Sequence, residues 1–543
     1  MSRSRGEKKD SAEHLNVIGK PFRKVDARAK CVGQTKFADD VVLPRMLFCK
    51  ILRSHLPHAL IKKIDATKAL ALPGVFAVIT GKDLPIPYGI LPVSQDEHAL
   101  CIDKVRFIGD PVAAVAAIDE DVAFDAMNLI EVEYEPLQTI SSIEEAVMID
   151  EPRIHEYGDS GNIHKKVSLE FGDVEEGFAE ADLIREDVFF YEGNTHLPME
   201  QHAALAHFDS DEKITLWSAT QTPHYVHRAL AKVLGLAASH IRVIATPNGG
   251  GFGGKSDPFN HEVIVCKLAM LTGRPVKVTL TREEVFYCHR GRHPVLMKIK
   301  TGVKNDGAIT GMHFQTYLDG GAYGSYGVAS TFYTGALQTV TYDVPKYKFQ
   351  GLRAFTNKPP CGPKRGHGTP QPRYGLEVHL DKIAEQLKLD PAQMRRQHLV
   401  APNTTTANYL RIGSMGLGAC IDKVVAGSDW KNRFSNWDQG RRKLPFGKGI
   451  GIACSSYICG AGLPIYWNNM PQSGVQLRLD RQGGVCVMCG STDIGQGSDS
   501  ILAYIVAEIL GIDPFDIRVI TADTDLTPVD LGSYSSRVTL MTG

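Results

Sequence analysis

An internal repeat is the feature of this sequence that most restricts its fold. The stretch Leu234-Gly-Leu-Ala-Ala-Ser-His-Ile-Arg-Val-Ile244 is echoed by Leu510-Gly-Ile-Asp-Pro-Phe-Asp-Ile-Arg-Val-Ile520. Each stretch follows a predicted helix and enters a predicted strand, and each helix is preceded by a strand and a polar loop, around Gln221 and Gln496. Any junction from helix through glycine to strand has some of this pattern, but the shared Ile-Arg-Val-Ile favours two related strand–loop–helix–strand units.

Around this repeat, periodicity and polar breaks divide the chain into three folded regions. Residues 1–18 are expected to form a disordered tail. Residues 19–150 show short β-like runs and two amphipathic helices, residues 165–400 contain one copy of the repeat, and residues 410–543 contain the other. At roughly 100–200 residues per domain, the length agrees with this division. We expect an α+β protein.

Single elements can be predicted where the periodicity is strong. A helix at 381–398 contains Pro391, which we expect to split it because proline removes a backbone donor and clashes with the preceding turn. A helix is also predicted at 120–129. Strands are predicted at 112–118, 130–134, 214–218, 241–246, 276–281 and 297–304.

Composition and charge exclude several classes of protein. The formal net charge is −1, so no global basic field attracts nucleic acid. No apolar run reaches the ~18–20 residues needed to span a bilayer, and residues 1–10 are charged and lack the apolar core of a secretory signal. We expect a cytoplasmic protein that binds neither nucleic acid nor membrane.

The cysteines do not form a recognisable metal site. Eleven cysteines in a chain of this length are not a disulfide framework. Cys486 and Cys489 form the only C-x-x-C, and their spacing places them on opposite faces of a predicted strand. No second pair completes a zinc site. Any redox centre must therefore be held in another way or lie on another chain.

One glycine-rich loop has the form of an ATP site. Gly249-Gly-Gly-Phe-Gly-Gly-Lys-Ser256 matches the pattern G-x-x-x-x-G-K-[ST]. However, Asp257 precedes Pro258, and the residue before proline is disfavoured in a helix. We expect Asp257 to be the helix N-cap and Pro258 the first helical residue. Lys255 and Ser256 then remain in the loop, outside the helical turn of a nucleotide site, and ATP hydrolysis is the last of the functions considered.

Further glycine-rich loops suggest another ligand. They occupy residues 319–327, 362–368 and 490–497. A single loop of this kind is usually a tight turn, but glycines also let backbone N–H groups approach a ligand closely. Several such loops near strand ends indicate a large polar ligand, and a phosphate-bearing organic cofactor fits.

The order of motifs along the chain resembles a known family. The motifs are, in order, Gly74-Val, Val105-Arg-Phe-Ile-Gly-Asp-Pro-Val-Ala113, Val132-Glu-Tyr-Glu-Pro-Leu137, Met199-Glu200, Thr220-Gln221, the glycine loop 249–255, Lys364-Arg-Gly-His-Gly368, Asp493-Ile-Gly-Gln-Gly497 and Ser535-Ser-Arg537. In this order they resemble the large subunit of the xanthine dehydrogenase/aldehyde oxidase family of molybdenum hydroxylases, and the resemblance extends nearly throughout the chain from Gly19.

The resemblance implies a fold, a cofactor and partners. It implies an N-terminal α/β hammerhead domain followed by two molybdopterin-binding domains, the last incomplete. It implies molybdenum on a pterin dithiolene, extended as molybdopterin cytosine dinucleotide. Iron–sulfur clusters and FAD are expected on partner subunits. Because the pterin holds the metal, the chain needs no metal ligands of its own.

The resemblance also implies roles for single residues. Gln221 would hydrogen-bond an oxygen ligand of molybdenum, and Arg365 would lie on the loop over the site. The remaining cofactor contacts are backbone groups near the metal and groups near the pterin or its phosphates: Gly251, Phe252, Gly253, Gln496, Gly497, Ser535 and Ser536.

Within the family, two stretches look most like reductases of the 4-hydroxybenzoyl-CoA type. They are Gly462-Leu-Pro-Ile-Tyr-Trp467 and residues 523–537. Such enzymes remove a phenolic hydroxyl from an aromatic thioester, which requires protons as electrons arrive. His and Tyr can supply protons, so Tyr326 and His367 are candidate catalytic donors or substrate-positioning groups. The alternative is that both only pack in the substrate funnel.

Two other functions stay open. One is hydroxylation of an aldehyde or N-heterocycle with the same cofactor, and the other is a cofactor-free scaffold or insertion factor. Family members also carry, near the C-terminus of this subunit, a glutamate that acts as base, and no Glu here matches that motif. The sequence stops at Val538-Thr-Leu-Met-Thr-Gly543 as a helix is predicted to begin. We expect a fragment, or half of a split subunit, that is inactive by itself.

Overall fold

The structure is a computed structural model that describes residues 15–287, 290–434, 444–460 and 473–543. Residues 15–18 of the expected tail are bound to the body of the protein. The backbone N–H groups of Asn16, Val17 and Ile18 donate to the Glu508 carboxylate at 2.6–3.0 Å. Val17 is buried against the core of the last region. The prediction of disorder is therefore wrong for these residues.

Helices and strands alternate along the chain in three groups. In the first 150 residues they are α1 Ala27–Cys31, β1 Leu47–Arg53, β2 Ala59–Asp65, α2 Thr67–Leu70, β3 Val75–Thr80, β4 Lys104–Val105, β5 Pro111–Ala117, α3 Glu120–Asn128, β6 Glu131–Pro136 and α4 Ile143–Met148. In residues 151–400 they are β7 Ile163–Phe171, α5 Val174–Ala179, β8 Leu183–Tyr191, β9 Ala203–Phe208, β10 Ile214–Ser218, α6 Pro223–Leu234, β11 Ile241–Ala245, α7 Asn260–Thr272, β12 Val276–Thr279, α8 Arg282–Tyr287, β13 Val295–Val303, β14 Ile309–Asp319, α9 Gly327–Ala336, β15 Tyr347–Ala354, α10 Pro370–Leu387 and α11 Pro391–Gln397. In the last group they are α12 Leu417–Gly427, α13 Trp430–Phe434, β16 Val475–Leu479, β17 Val485–Cys489, α14 Ser498–Leu510 and β18 Ile517–Thr521.

These strands form four sheets. The largest has the order β11-β10-β9-β12-β1-β5-β3, and the second has the order β7-β15-β14-β13-β8. The smaller sheets are β16-β17-β18 and β4-β2-β6. In the largest sheet β1 pairs in parallel with β12, Leu47 opposite Val276, so one sheet contains strands from both sides of the polar break near residue 150. Its buried face packs on α6 and α7 in the largest apolar core.

The structure confirms the internal repeat. The first repeat unit runs β9–β10–α6–β11 and the second runs β16–β17–α14–β18. In both units the first two strands are antiparallel, and the strand after the helix returns parallel to the second. Both helices end at a glycine with a left-handed backbone, Gly235 with φ 67° and Gly511 with φ 69°, which satisfies the last helical carbonyls without a Cβ penalty.

The two repeat units meet edge to edge along a line that we call the seam. Residues of β11 bond to residues just beyond the end of β18: the Ala245 N–H donates to the Ala522 carbonyl at 2.9 Å, and the Thr524 N–H donates to the Val243 carbonyl at 3.0 Å. The Arg242 guanidinium also donates two hydrogen bonds to the carboxylate of Asp523, at 3.1 and 2.6 Å. The polar loops of both units therefore open on the same side of the molecule.

Two helices, α10 and α7, begin at other residues than the sequence predicts. Pro391 does separate two helices, α10 and α11, but α10 begins well before residue 381. Asp257 is not an N-cap: α7 begins at Asn260 after Phe259, whose N–H donates to Glu262 Oε2 at 2.8 Å. The Asp257 carboxylate instead accepts from Arg290. Lys255 and Ser256 do remain in the loop, as expected.

No helix in the described ranges is both long and apolar enough to cross a membrane.

Candidate functional site

A cavity of about 1000 Å³ lies where the loops of the two repeat units meet. Its walls are formed by the glycine loop after β11, the loop before α14, the residues that follow β18, the segment 363–367 and the segment 24–37. Nine residues predicted for the site line it: Gln221, Phe252, Gly253, Tyr326, Arg365, His367, Gln496, Ser535 and Ser536. The other two, Gly251 and Gly497, adjoin lining residues in the same loops.

The glycine loop is closed around the buried Gln221 side chain. Gln221 Oε1 accepts from the N–H groups of Gly253 at 3.0 Å and Lys255 at 3.3 Å, and Nε2 donates to the Ser533 carbonyl at 2.6 Å. A Cβ on Gly251 would lie 2.4 Å from Oε1. Gln221 therefore joins the loop of the first unit to the chain that follows the second unit, and glycine is required where that amide is approached.

Phe252 is the exposed part of this loop. It has a left-handed backbone with φ 57°, which costs energy in a non-glycine residue and often marks a functional site. The residue is 41% exposed, and the guanidinium of Arg365 lies 6.0 Å from the centre of its ring. The Arg365 N–H donates to the Phe252 carbonyl at 2.9 Å. The two loops thus present a fixed aromatic and cationic edge to the cavity.

Lys255 does not face the cavity as a phosphate-binding lysine does. Its ammonium is buried and forms an ion pair with Glu200 at 2.6 Å. The same carboxylate accepts from the Gly249 N–H at 2.8 Å. Burial lowers the pKa of Lys255, and the Glu200 carboxylate opposes that shift. The Lys255 charge is therefore used to close the base of the glycine loop, and this lysine is not available to bind a nucleotide phosphate.

A strained turn forms the opposite wall. Ser535 and Ser536 are consecutive residues with positive φ, 47° and 51°. The Ser535 carbonyl accepts from the Gly460 N–H at 2.8 Å. The next residue, Arg537, is fully buried against Asp530 and donates to the Gly532 carbonyl at 2.9 Å. A buried ion pair thus holds two hydroxyls and their backbone at the cavity wall. The sequence motif contained Arg537, but its holding role was not predicted.

Tyr326 and His367 lie together in the cavity wall. Their ring centres are 5.8 Å apart, and His367 also packs edge-on against Tyr333 at 5.1 Å. His367 Nε2 is 2.5 Å from the Ser330 hydroxyl. Burial, together with the smaller effect of the Arg292 charge, lowers the pKa of His367 to about 3. The imidazole is therefore neutral at physiological pH and can hydrogen-bond, but it holds no extra proton to give away.

Several lining residues were not predicted from the sequence, and four of them are charged or aromatic residues outside every motif. Lys24, Asp26 and Lys30 come from the N-terminal segment, and Lys24 Nζ donates to the Gly495 carbonyl at 2.7 Å in the loop before α14. Tyr457 lines the cavity from the last region. None of these residues belongs to a motif, and each reaches the cavity only through tertiary packing. Among the described residues, no group of three or more His, Cys, Asp or Glu side chains could hold a metal ion.

Three segments of the chain match known domain families. Residues 32–138 match the a/b hammerhead domain of aldehyde oxidase and xanthine dehydrogenase. Residues 154–399 and 423–543 each match a molybdopterin cofactor-binding domain. Each molybdopterin-binding segment contains one repeat unit, and the cavity lies between the two units. The fold and the site thus define a molybdopterin-binding protein.

Whole-chain comparisons specify the family. The chain is 34% identical over 532 residues to the xanthine dehydrogenase molybdenum-binding subunit of Escherichia coli O157:H7, across 95% of this chain and 69% of that protein. It is 36% identical over 413 residues to the nicotinate dehydrogenase large molybdopterin subunit of Eubacterium barkeri, across 75% of this chain and 95% of that protein. Quinoline 2-oxidoreductase from Pseudomonas putida 86 superposes with a TM-score of 0.88 at 27% identity, over 97% of this chain and 69% of that one.

The chain belongs to the xanthine dehydrogenase/aldehyde oxidase family, as a molybdenum-binding large subunit. It is thus a subunit of a molybdenum-dependent oxidoreductase. The predicted fold class, a hammerhead domain followed by molybdopterin-binding domains, is confirmed.

Proposed function

We propose that this subunit binds a molybdenum cofactor in the cavity between the two repeat units and catalyses the reductive dehydroxylation of 4-hydroxybenzoyl-CoA to benzoyl-CoA. The observation that carries the proposal is the aromatic lining of the cavity, to which Phe252, Tyr326, His367 and Tyr457 all contribute. Flat, polarisable side chains of this kind suit an aromatic substrate. The stretch 523–537 supports the same choice of substrate, whereas the stretch 462–467 lies outside the described residues.

The cavity residues fit a large, phosphate-bearing cofactor. The volume of the cavity, about 1000 Å³, is at the upper end of the roughly 300–1000 Å³ that is usual for ligand pockets. A Cβ on Gly253 would lie 2.5 Å from the Pro363 carbonyl oxygen, so only glycine lets the backbone pass there. Gly251, Gln221 and Phe252 would then lie beside the metal end of molybdopterin cytosine dinucleotide. Gln496, Gly497, Ser535, Ser536 and Arg365 would contact the pterin, its phosphates or the entrance. The bound group would supply the two-electron exchange with the substrate carbon.

Tyr326 and His367 would then have different roles. The Tyr326 hydroxyl would donate a proton to the substrate, because a phenol can act as a general acid. His367, neutral with its pKa lowered to about 3 by burial, would hold the substrate or the tyrosine through hydrogen bonds. The sequence prediction left both residues as donors or substrate-positioning groups, and this assignment gives one role to each.

The reaction requires electrons from elsewhere. We infer that an iron–sulfur subunit and an FAD subunit deliver them, and that an aromatic acyl-CoA is the substrate. The expected cytoplasmic location also remains a prediction. A second candidate, hydroxylation of an N-heterocycle or aldehyde with the same cofactor, is favoured by the names of relatives that act on xanthine and nicotinate.

Activity of the complete complex separates these candidates. We expect dehydroxylation of 4-hydroxybenzoyl-CoA with a low-potential electron donor, and only slow oxidation of aldehydes or N-heterocycles with an electron acceptor. Tyr326→Phe and His367→Phe should each slow dehydroxylation by about 100-fold, the lower end for a general acid or positioning group, whereas Tyr342→Phe should not, because Tyr342 does not line the cavity. If neither cavity variant is slower, the assigned roles are wrong. Purified protein without molybdenum would favour the scaffold function instead.

A further inference from the structure

The loop that carries Tyr326 is fixed by hydrogen bonds to buried side chains from distant parts of the chain. This loop, residues 319–326, joins the end of β14 to the start of α9. Tyr326 at its end lines the cavity, but the three residues before it point elsewhere and are buried. Whatever fixes those three residues also fixes Tyr326.

Three buried carboxylates hold three consecutive residues of this loop. The Tyr323 hydroxyl donates to both oxygens of Asp110 at 3.0 Å. The Gly324 N–H donates to Asp96 Oδ2 at 2.8 Å. The Ser325 hydroxyl donates to Asp257 Oδ2 at 2.6 Å. Asp96 and Asp110 come from the first 150 residues, and Asp257 follows the glycine loop, so the grip joins distant parts of the chain.

The loop conformation needs this support. Ser325 has a left-handed backbone with φ 45°, a conformation that persists in non-glycine residues only where the surroundings impose it. Gly324 is packed so closely that a Cβ would lie 2.7 Å from Cβ of Ser94 and 2.8 Å from the Tyr157 hydroxyl. The loop is therefore both strained and enclosed.

Burying these carboxylates costs free energy, so stability of the loop alone does not explain why they are there. Asp257 is buried beside Arg290, which also forms an ion pair with Glu97, so one guanidinium faces two carboxyl groups. Burial raises the pKa of Glu97 to about 8 against the charge of Arg290, and burial raises the pKa of Asp110 to about 6. Apolar packing commonly stabilises a core as well as buried charges do, so the distinctive effect of these carboxyl groups is the single geometry that their hydrogen bonds impose on the loop.

We propose that Asp96, Asp110 and Asp257 form a carboxylate clamp that fixes Tyr326 in the cavity wall and thereby determines which substrates fit. The three are positioning residues, because they act through Tyr323, Gly324 and Ser325. The proposal rests on the proposed function only in taking the cavity as the substrate site.

The test removes one hydroxyl at a time from the loop side of the clamp. Tyr323→Phe is compared with Tyr342→Phe, because Tyr342 is also buried and donates to a carboxylate, Glu377 Oε1, at 2.8 Å. Ser325→Ala is compared with Ser218→Ala, whose hydroxyl donates to a buried glutamate at the same 2.6 Å. Each control variant loses a hydrogen bond of the same kind at a position outside the loop.

Two measurements are made on the full chain in its complex. Hydrogen exchange of residues 320–327 should speed up at least tenfold in Tyr323→Phe and Ser325→Ala, but not in the controls. The ratio of kcat/KM between a small and a bulky substrate of the same reaction should change at least fivefold in the loop variants, mainly through KM. Either loop variant alone carries the test if the other does not fold.

Equal exchange in loop variants and controls, or an unchanged substrate ratio, would overturn the clamp. If none of the compounds is turned over, hydrogen exchange alone decides the clamp, and the missing turnover counts against the proposed function.

Discussion

Gly253 offers the sharpest test of the cavity, because an added methyl group there has two separate costs. Its φ of 100° lies where residues other than glycine cost about 1–3 kcal/mol. The new Cβ would also lie 2.5 Å from the Pro363 carbonyl oxygen, a backbone atom that cannot rotate away. We expect Gly253→Ala to cost about 2–4 kcal/mol in total. If the loop absorbs this cost by shifting, ligand affinity falls by about 30- to 1000-fold, since about 1.4 kcal/mol corresponds to a factor of ten.

The assay is molybdenum and pterin content per chain after purification, with thermal unfolding measured on the same samples. Gly273→Ala is the matched control: Gly273 also has a left-handed backbone, with φ 59°, but a Cβ there meets nothing within 4 Å and the residue is remote from the cavity. The control should lose roughly 1–2 kcal/mol of stability and keep its cofactor. If Gly253→Ala retains as much molybdenum as Gly273→Ala, the glycine loop does not hold the ligand.

Three further outcomes are expected. Lys255→Met breaks a buried ion pair and should cost about 3–5 kcal/mol of stability. MgATP should not raise the unfolding temperature of the wild-type protein. A clear rise with MgATP would restore the interpretation of the glycine loop as a nucleotide site. Burial raises the pKa of Glu262 to about 7 against hydrogen bonds from Ser218 and the Phe259 N–H. The contribution of Glu262 to the stability of the folded protein therefore falls as the pH rises from the ordinary pKa of its carboxyl group, near 4.5, through 7. Glu262→Gln should accordingly raise the unfolding temperature by an amount that grows over this range and then levels off, and a gain independent of pH would contradict this. Finally, β16 is exposed along its length and has a described partner strand on one side only, so Leu477→Lys should reduce concentration-dependent light scattering.

Local sequence predicted the fold well where one face of an element is buried. The repeat units were found from a shared Ile-Arg-Val-Ile and a glycine after each helix, because both the strand and the helix end depend on neighbouring residues only. The α7 start was predicted wrongly for a non-local reason. Asp257 has the side chain of an N-cap, but Arg290 and Ser325 bind its carboxylate instead, and neither partner is near it in sequence.

The candidate site was predicted as a set of loops, and its chemistry was predicted less well. Glycine-rich loops indicated a large polar ligand, because close backbone approach restricts which residues can be used, and the family resemblance supplied the nine lining residues. The neutral state of His367 depends on burial by several segments, which no local pattern records. Lys24 reaches the loop at Gly495 across almost the whole length of the chain. Contacts of this kind arise only when the chain is folded.

The seam between the repeat units has a thermodynamic consequence. The glycine loop that follows the first unit and the turn that follows the second unit line opposite sides of the cavity, and the backbone bonds of Ala245 with Ala522 and of Thr524 with Val243 join the units directly. A ligand that touches both walls binds only when the units are together, so its occupancy and their association are linked. At a free concentration one hundred times its Kd, such a ligand adds about 2.7 kcal/mol to the stability of the joined state. Removing it should therefore separate a single cooperative unfolding transition into two.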